Sequence, residues 1–166
     1  MNLKSVIRNT LILSAILLNI GCDQVTKNIA RNKIEYHETI QVIDSFLILT
    51  KVENSGAFLS LGSSMPIFIK FLALNLLPVI VLIWGLYLLI KKTNMSKYSV
   101  TGFCFIIGGG AGNLYDRIRY GSVTDFLYMD FGIFQTGIFN MADVSITVGM
   151  FVILINLYLK KVISYS

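Results

Sequence analysis

The sequence predicts a membrane α-helical protein, with four transmembrane helices and a small extracytoplasmic β-sheet at the outer membrane face. Two observations carry this. The 166 residues are 55% hydrophobic and 14% charged, with a mean hydropathy of +0.71, outside the usual range of soluble domains. The charges also leave long gaps between them, and each charge placed in hydrocarbon costs about 2.5–3.5 kcal/mol on insertion scales, so the gaps mark spans.

Residues 9–22 are 14 uncharged positions. As a helix they reach only about 21 Å, so the first span must run on past Asp23 and Lys27, over about 9–30, to cross a core of about 30 Å. Between Lys70 and Lys91 lie 20 uncharged positions, a full span at about 68–90. The 18 positions between Lys97 and Asp116 give a third span at about 97–115, ending in the small-residue run Gly108–Gly112 that suits close helix packing. Residues 144–159 are 16 positions. The last span therefore starts near Asn140, at about 140–159, and carries Asp143 in its outer turn. Between the spans, segments at about 40–58 and 121–133 are rich in β-branched and aromatic residues, which predicts short strands. Residues 1–166 are expected to form a single membrane domain.

Orientation follows from where the basic residues fall. Lys4 and Arg8, then Lys91, Lys92 and Lys97, then Lys160 and Lys161 are seven basic residues with no acid among them. The other connecting segments are balanced: four basic residues face five acids from Asp23 to Glu53, and two face three from Asp116 to Asp130. The positive-inside rule then places both termini and the Lys-rich loop in the cytoplasm. The net charge of +5 is thereby explained by topology, and no nucleic-acid partner is expected.

Several motifs compete for the chemistry. The run from Lys4 to Cys22 imitates a signal peptide before a lipidated cysteine, but three further spans follow and Asn19 stands where a small apolar residue is wanted, so Cys22 is expected to be a buried thiol. GGGAGN resembles a phosphate loop without its Lys-Ser or Lys-Thr pair, and nucleotide binding is rejected. Cys22 and Cys104 have no CxxC spacing, and His37 has no second histidine, so neither a disulfide framework nor a metal site is expected. The acids are more informative. Asp125 in GSVTDF and Asp143 in FNMADV are embedded in apolar neighbours. Two such carboxyl groups brought together can share a proton, one acting as base on a water while the other polarises a carbonyl. The alternative is that each is an interfacial acid paired with Arg117, Arg119 or a backbone N–H.

The blocks Asp23-Gln24-Val25-Thr26-Lys27, Asn54-Ser55-Gly56-Ala57, Gly109 with Gly112-Asn113-Leu114-Tyr115-Asp116-Arg117, Gly121-Ser122-Val123-Thr124-Asp125-Phe126 and Phe139-Asn140-Met141-Ala142-Asp143 resemble, in order, those of the lipoprotein signal peptidase (signal peptidase II) family. The resemblance spans nearly the whole chain. It implies an aspartic endopeptidase of the bacterial inner membrane that removes signal peptides from diacylglyceryl-modified prolipoproteins, cleaving before the lipidated cysteine, with an active site near the outer face and no cofactor. It implies Asp125 and Asp143 as the catalytic pair, and Asn54, Gly109, Asn113, Arg117 and Asn140 as residues that line or support the substrate site. Asp23 and Lys27 match a further motif, structural or substrate-positioning, and their spacing alone allows a helix i,i+4 ion pair. For Arg117 the plainer alternative is a partner for Asp116 or for lipid phosphate. Two details depart from the common pattern: Phe58 and Leu59 follow Ala57 where a second Ala and an aromatic are frequent, and Thr124 stands where Val is frequent. The expected partners are prolipoprotein substrates and membrane lipids, and a monomer is expected because no stripe beyond the third span asks for a partner helix.

A competing reading is a small transporter or channel subunit in which Asp23, Asp116 and Asp143 relay protons or cations. The uncharged middles of spans two and three and the lack of an internal repeat disfavour it. A non-enzymatic scaffold, in which no single outer acid matters, is a third.

Overall fold

A computed structural model describes residues 3–36, 38–57 and 60–165; His37, Phe58 and Leu59 lie outside the described residues. Its elements in chain order are α1 (Leu3–Lys33), β1 (Ile40–Ile43), β2 (Leu47–Asn54), α2 (Ile67–Phe71), a π-helical turn (Leu72–Leu76), α3 (Leu77–Lys91), α4 (Lys97–Tyr120), β3 (Val123–Met129) and α5 (Met141–Tyr165). From α2 to α3 the chain is one continuous helix. The π turn comes just before Pro78, which has no N–H to offer the Leu74 carbonyl four residues back, so a widened turn there relieves the missing bond.

Among the described residues, three helices, Leu3–Lys33, Ile67–Lys91 and Met141–Ile163, are long and apolar enough to cross a membrane. Their large side chains face outward: Leu17 is 66% exposed, Ile67 87% and Tyr158 68%. In water such surfaces would be covered; in lipid they are the solvent-facing side. α4 differs. It contacts α1, α3 and α5, and it buries small and polar residues, among them Gly108, Gly109, Gly112, Asn113 and Asp116.

The consecutive glycines of α4 serve three neighbours because successive helix positions point about 100° apart. A Cβ at Gly108 would overlap Asn19 of α1, one at Gly109 the Ala142 carbonyl of α5, and one at Gly110 the Leu82 side chain of α3. Gly112 faces the Asp23 carboxylate at similarly short range. α4 begins at Ser96, whose hydroxyl accepts the Ser99 N–H at 3.1 Å, and ends at Gly121, whose left-handed φ of 80° reverses the chain into β3. At the other end of the molecule, Arg8 of α1 donates to carbonyls at the end of α3 and just past it, Leu89 at 2.8 Å and Lys92 at 2.9 Å.

The sheet is antiparallel in the order β1-β2-β3. Val52 pairs with Asp125 and Asn54 with Val123, and an irregularity in register falls between Leu49 and Val52. Phe139, just before α5, exchanges backbone hydrogen bonds with Leu127. That contact brings the start of α5 to β3.

Every helix runs past its expected span, to Lys33, Lys91, Tyr120 and Tyr165. Charge counting marks where hydrocarbon ends, whereas a helix continues as long as its backbone bonds are satisfied. The 40–58 region yields two strands joined by a tight turn and ending at Asn54, with a short turn over residues 55–57. Cys22 is exposed, contrary to the expected buried thiol, because it lies on the outward face of α1 while Asp23 beside it points inward.

Candidate active site

Asp125 and Asp143 line one small cleft, together with Asn54, Asn113, Arg117 and Asn140. The cleft encloses about 20 Å³. That is room for about one water molecule.

Sheet register delivers the first carboxylate. Side chains two apart on a strand share a face, so Asn54, diagonal to Asp125 across the β2–β3 pair, can reach it. Asn54 Nδ2 donates to Asp125 Oδ2 at 3.0 Å. Its own Oδ1 accepts the Gly56 N–H at 2.9 Å, which closes the turn after β2. On its other oxygen Asp125 accepts Asn140 Nδ2 at 2.6 Å.

A helix start delivers the second. Asn140 caps α5, its Oδ1 accepting the Asp143 N–H at 3.1 Å while Asp143 Oδ2 accepts the Asn140 N–H at 3.1 Å. This is a reciprocal capping box built from Asn and Asp. The remaining oxygen of Asp143 accepts Asn113 Nδ2 at 2.8 Å. Neither carboxylate forms an ion pair with Arg117 or Arg119 among the described residues.

Electrostatically the two carboxyl groups differ. Burial pushes Asp125 up to about 6, against the hydrogen bonds from Asn54 and Asn140 that favour its charged form, and the neighbouring Asp143 adds in the same direction as burial. Asp143 sits instead in the first turn of α5, held by the Asn140 N–H and the Asn113 amide.

Behind the cleft lies a buried charge cluster. Lys27 Nζ, fully buried, contacts Asp23 Oδ2 at 2.9 Å, Asp116 Oδ2 at 3.2 Å and Asn113 Oδ1 at 2.8 Å. The i,i+4 pair thus exists, but it is tied to α4 through Asn113 and Asp116. Asp23 Oδ1 also accepts the Ala142 N–H at 2.9 Å, so α1 holds the first turn of α5. Arg31, one helical turn beyond Lys27, reaches Asp116 at 2.8 Å and lies over the Tyr120 ring at 4.2 Å. Two cations and two carboxylates balance, as burial at this depth requires.

Asp116 therefore pairs with Lys27 and Arg31 and leaves Arg117 aside, contrary to the pairing considered from sequence. Arg117 turns toward the cleft and donates to the Gly56 carbonyl at 2.9 Å. Gly109 does not touch the carboxylates; its role in this arrangement is steric, letting α5 approach α4.

Arg31 and Glu53 join this network without belonging to any of the sequence blocks. Thr124, a departure from the common pattern, accepts Arg31 Nε at 2.8 Å and donates to Glu53 Oε1 at 2.7 Å, joining α1 to β2 and β3. Arg31 continues the four-residue spacing Asp23, Lys27, Arg31 along one face of α1, and that periodicity was the available signal.

The family model described as Signal peptidase (SPase) II matches residues 15–159. The chain belongs to the signal peptidase II family. Among its relatives are the lipoprotein signal peptidase of Enterococcus faecalis (strain ATCC 700802 / V583), 38% identical over 90% of this chain and 88% of that one. The lipoprotein signal peptidase of Francisella tularensis subsp. novicida (strain U112) is 37% identical over 87% of this chain and 90% of its own. A solved structure described as a bacterial membrane enzyme, determined by the in meso method at 2.3 Å, superposes with a TM-score of 0.81 at 27% identity, covering 92% of this chain and 90% of that chain. Membership of the signal peptidase II family, with three membrane-length apolar helices, makes this a multi-pass membrane protease and leaves the transporter reading unsupported.

Proposed function

We propose that the chain is an aspartic endopeptidase of a bacterial inner membrane that cleaves diacylglyceryl-modified prolipoproteins immediately before the lipidated cysteine. Asp125 and Asp143 form the catalytic pair. The observation that carries this is the single cleft containing both carboxylates in unlike environments.

Asp143, held at the start of α5 by two N–H donors, is the base, and Asp125, whose proton affinity burial raises, is the acid when the pair holds one proton. Asp143 takes a proton from a water held between the two carboxyls as that water attacks the scissile carbonyl carbon. The Asp125 proton goes to the carbonyl oxygen, giving a neutral tetrahedral diol. Collapse breaks the C–N bond, the Asp143 proton passes to the leaving amine, and the diol returns a proton to Asp125. Asn140 keeps the two carboxyls in register, and Asn113 orients Asp143. Arg117 and the Gly56 carbonyl border the side where the substrate backbone lies. Each group is supplied by the protein, so the reaction as written calls on no cofactor.

Topology completes the reading. All four long helices cross the membrane as one domain, α4 tolerating its charged end because Asp116 is neutralised by α1. Both termini lie in the cytoplasm, and the sheet and cleft lie at the outer face, where water meets a lipid-borne substrate. The protein acts as a monomer. The deciding experiment is cleavage of a diacylglyceryl prolipoprotein by the purified protein beside the unlipidated precursor, with Asp125→Asn and Asp143→Asn as separate variants. Cleavage of the lipidated form alone, reduced at least about 100-fold in each variant, is expected; full activity in either variant refutes the pair.

A further inference from the structure

A groove of about 680 Å³ opens between the first halves of α1 and α4, far along the helices from the carboxylate cleft. α1 lines it with Lys4, Ile7, Leu11 and Ala15, positions i, i+3, i+7 and i+11 of one helical face. α4 lines it with Lys97, Val100, Thr101 and Cys104, positions i, i+3, i+4 and i+7 from its own first turn. Each helix thus places a lysine at the mouth and uncharged side chains beyond it. Among the described residues no acid lines the groove. Arg8 also lines the groove, its guanidinium held by the carbonyls of Leu89 and Lys92. Ile12 and Cys104, each 3% exposed, close the floor.

Length and charge together select an occupant. From Lys4 to Ala15 the helix rises about 16 Å, roughly half of a hydrocarbon core of about 30 Å, which is the depth of one leaflet. Basic pockets between membrane helices suit anionic headgroups, and the two helix N-termini add partial positive charge at the same end. We propose that this groove holds one anionic diacyl phospholipid of the leaflet at the Lys-rich end. Its phosphate lies at Lys4 and Lys97, and an acyl chain runs along Leu11, Val100 and Cys104. The assignment rests on the helices spanning the bilayer and is independent of the peptidase chemistry.

The test is native mass spectrometry of the full-length protein from neutral detergent micelles carrying equal amounts of phosphatidylglycerol and phosphatidylcholine. The wild type is expected to retain one phosphatidylglycerol in preference. Each lysine near the headgroup contributes about fivefold in affinity, so Lys4→Gln with Lys97→Gln should lower retention roughly 25-fold. Thr101→Phe, at an exposed groove-wall position, should lower it with no change of charge. Lys160→Gln with Lys161→Gln, which removes the same charge outside the groove, should leave it intact. Equal retention of the two lipids by the wild type, an equal loss in the Lys160/Lys161 variant, or displacement by inorganic phosphate at the lipid's own concentration would overturn the proposal. Prolipoprotein cleavage by the same preparations is read separately, so failure of the peptidase reading and failure of this one are distinguishable.

Discussion

Asn140 and Asp143 each accept the other's backbone N–H at 3.1 Å, and the Asn140 amide also reaches Asp125 at 2.6 Å. One side chain therefore starts α5, orients one carboxylate and bridges to the second. The two duties separate by substitution. Asn140→Ser keeps an oxygen for the Asp143 N–H and loses the bridge, whereas Asn140→Ala loses both. Thermal denaturation should show the Ala variant less stable than the Ser variant by about 1 kcal/mol, the worth of a cap. Prolipoprotein cleavage should fall steeply in both. A fully active Ser variant would show the bridge to be dispensable.

Asp125 also makes stability depend on pH. Its carboxyl is raised from 3.8 to about 6 by burial, so the folded state binds a proton more tightly than the unfolded one. The contribution is complete below pH 3.8 and is lost as pH rises to about 6, a change of about 3 kcal/mol. Between those limits the stability of the wild type should fall with rising pH relative to Asp125→Asn, which has no proton to lose there. Parallel melting profiles for the two proteins across this window would contradict the raised value.

Gly109 sets the distance between α4 and α5. A methyl group there would overlap the Ala142 carbonyl oxygen and crowd Ile146. Overpacking of this kind costs about 1–3 kcal/mol. Because Gly109 and Asn113 lie four residues apart on one face, the displacement also draws the Asn113 amide away from Asp143. Gly109→Ala should therefore lower both melting temperature and turnover, while Gly21→Ala, where a Cβ meets nothing within 4 Å, should lower neither.

Lys27 is the cation on which Asp23 and Asp116 both depend. Lys27→Met leaves a buried excess of one negative charge, and removing one partner of a buried pair costs about 3–5 kcal/mol. Adding Asp23→Asn to Lys27→Met should recover part of that loss by restoring neutrality. A double variant no more stable than Lys27→Met alone would assign the loss to packing of the lysine stem.

The membrane character, the long helices and the two strand regions are legible in the amino-acid pattern, because hydrocarbon penalises charge one residue at a time and turns are coded locally. Asp125 and Asp143 could be picked out as embedded acids, yet only 18 residues of spacing linked them, and spacing carries no distance. They share a cleft only through long-range contacts: the β2–β3 register, the Leu127–Phe139 bonds and the close α4–α5 approach at Gly109. The partners of the buried charges are likewise set by packing between helices. Asp116 could have been assigned to the adjacent Arg117, but successive residues on a helix diverge by about 100°, so Asp116 faces Lys27 and Arg31 on α1 while Arg117 faces the cleft. Cys22 illustrates the same limit, since in lipid an apolar residue is equally at home inside or out, and which face of α1 turns inward is set by Asp23 and Lys27 seeking partners on other helices.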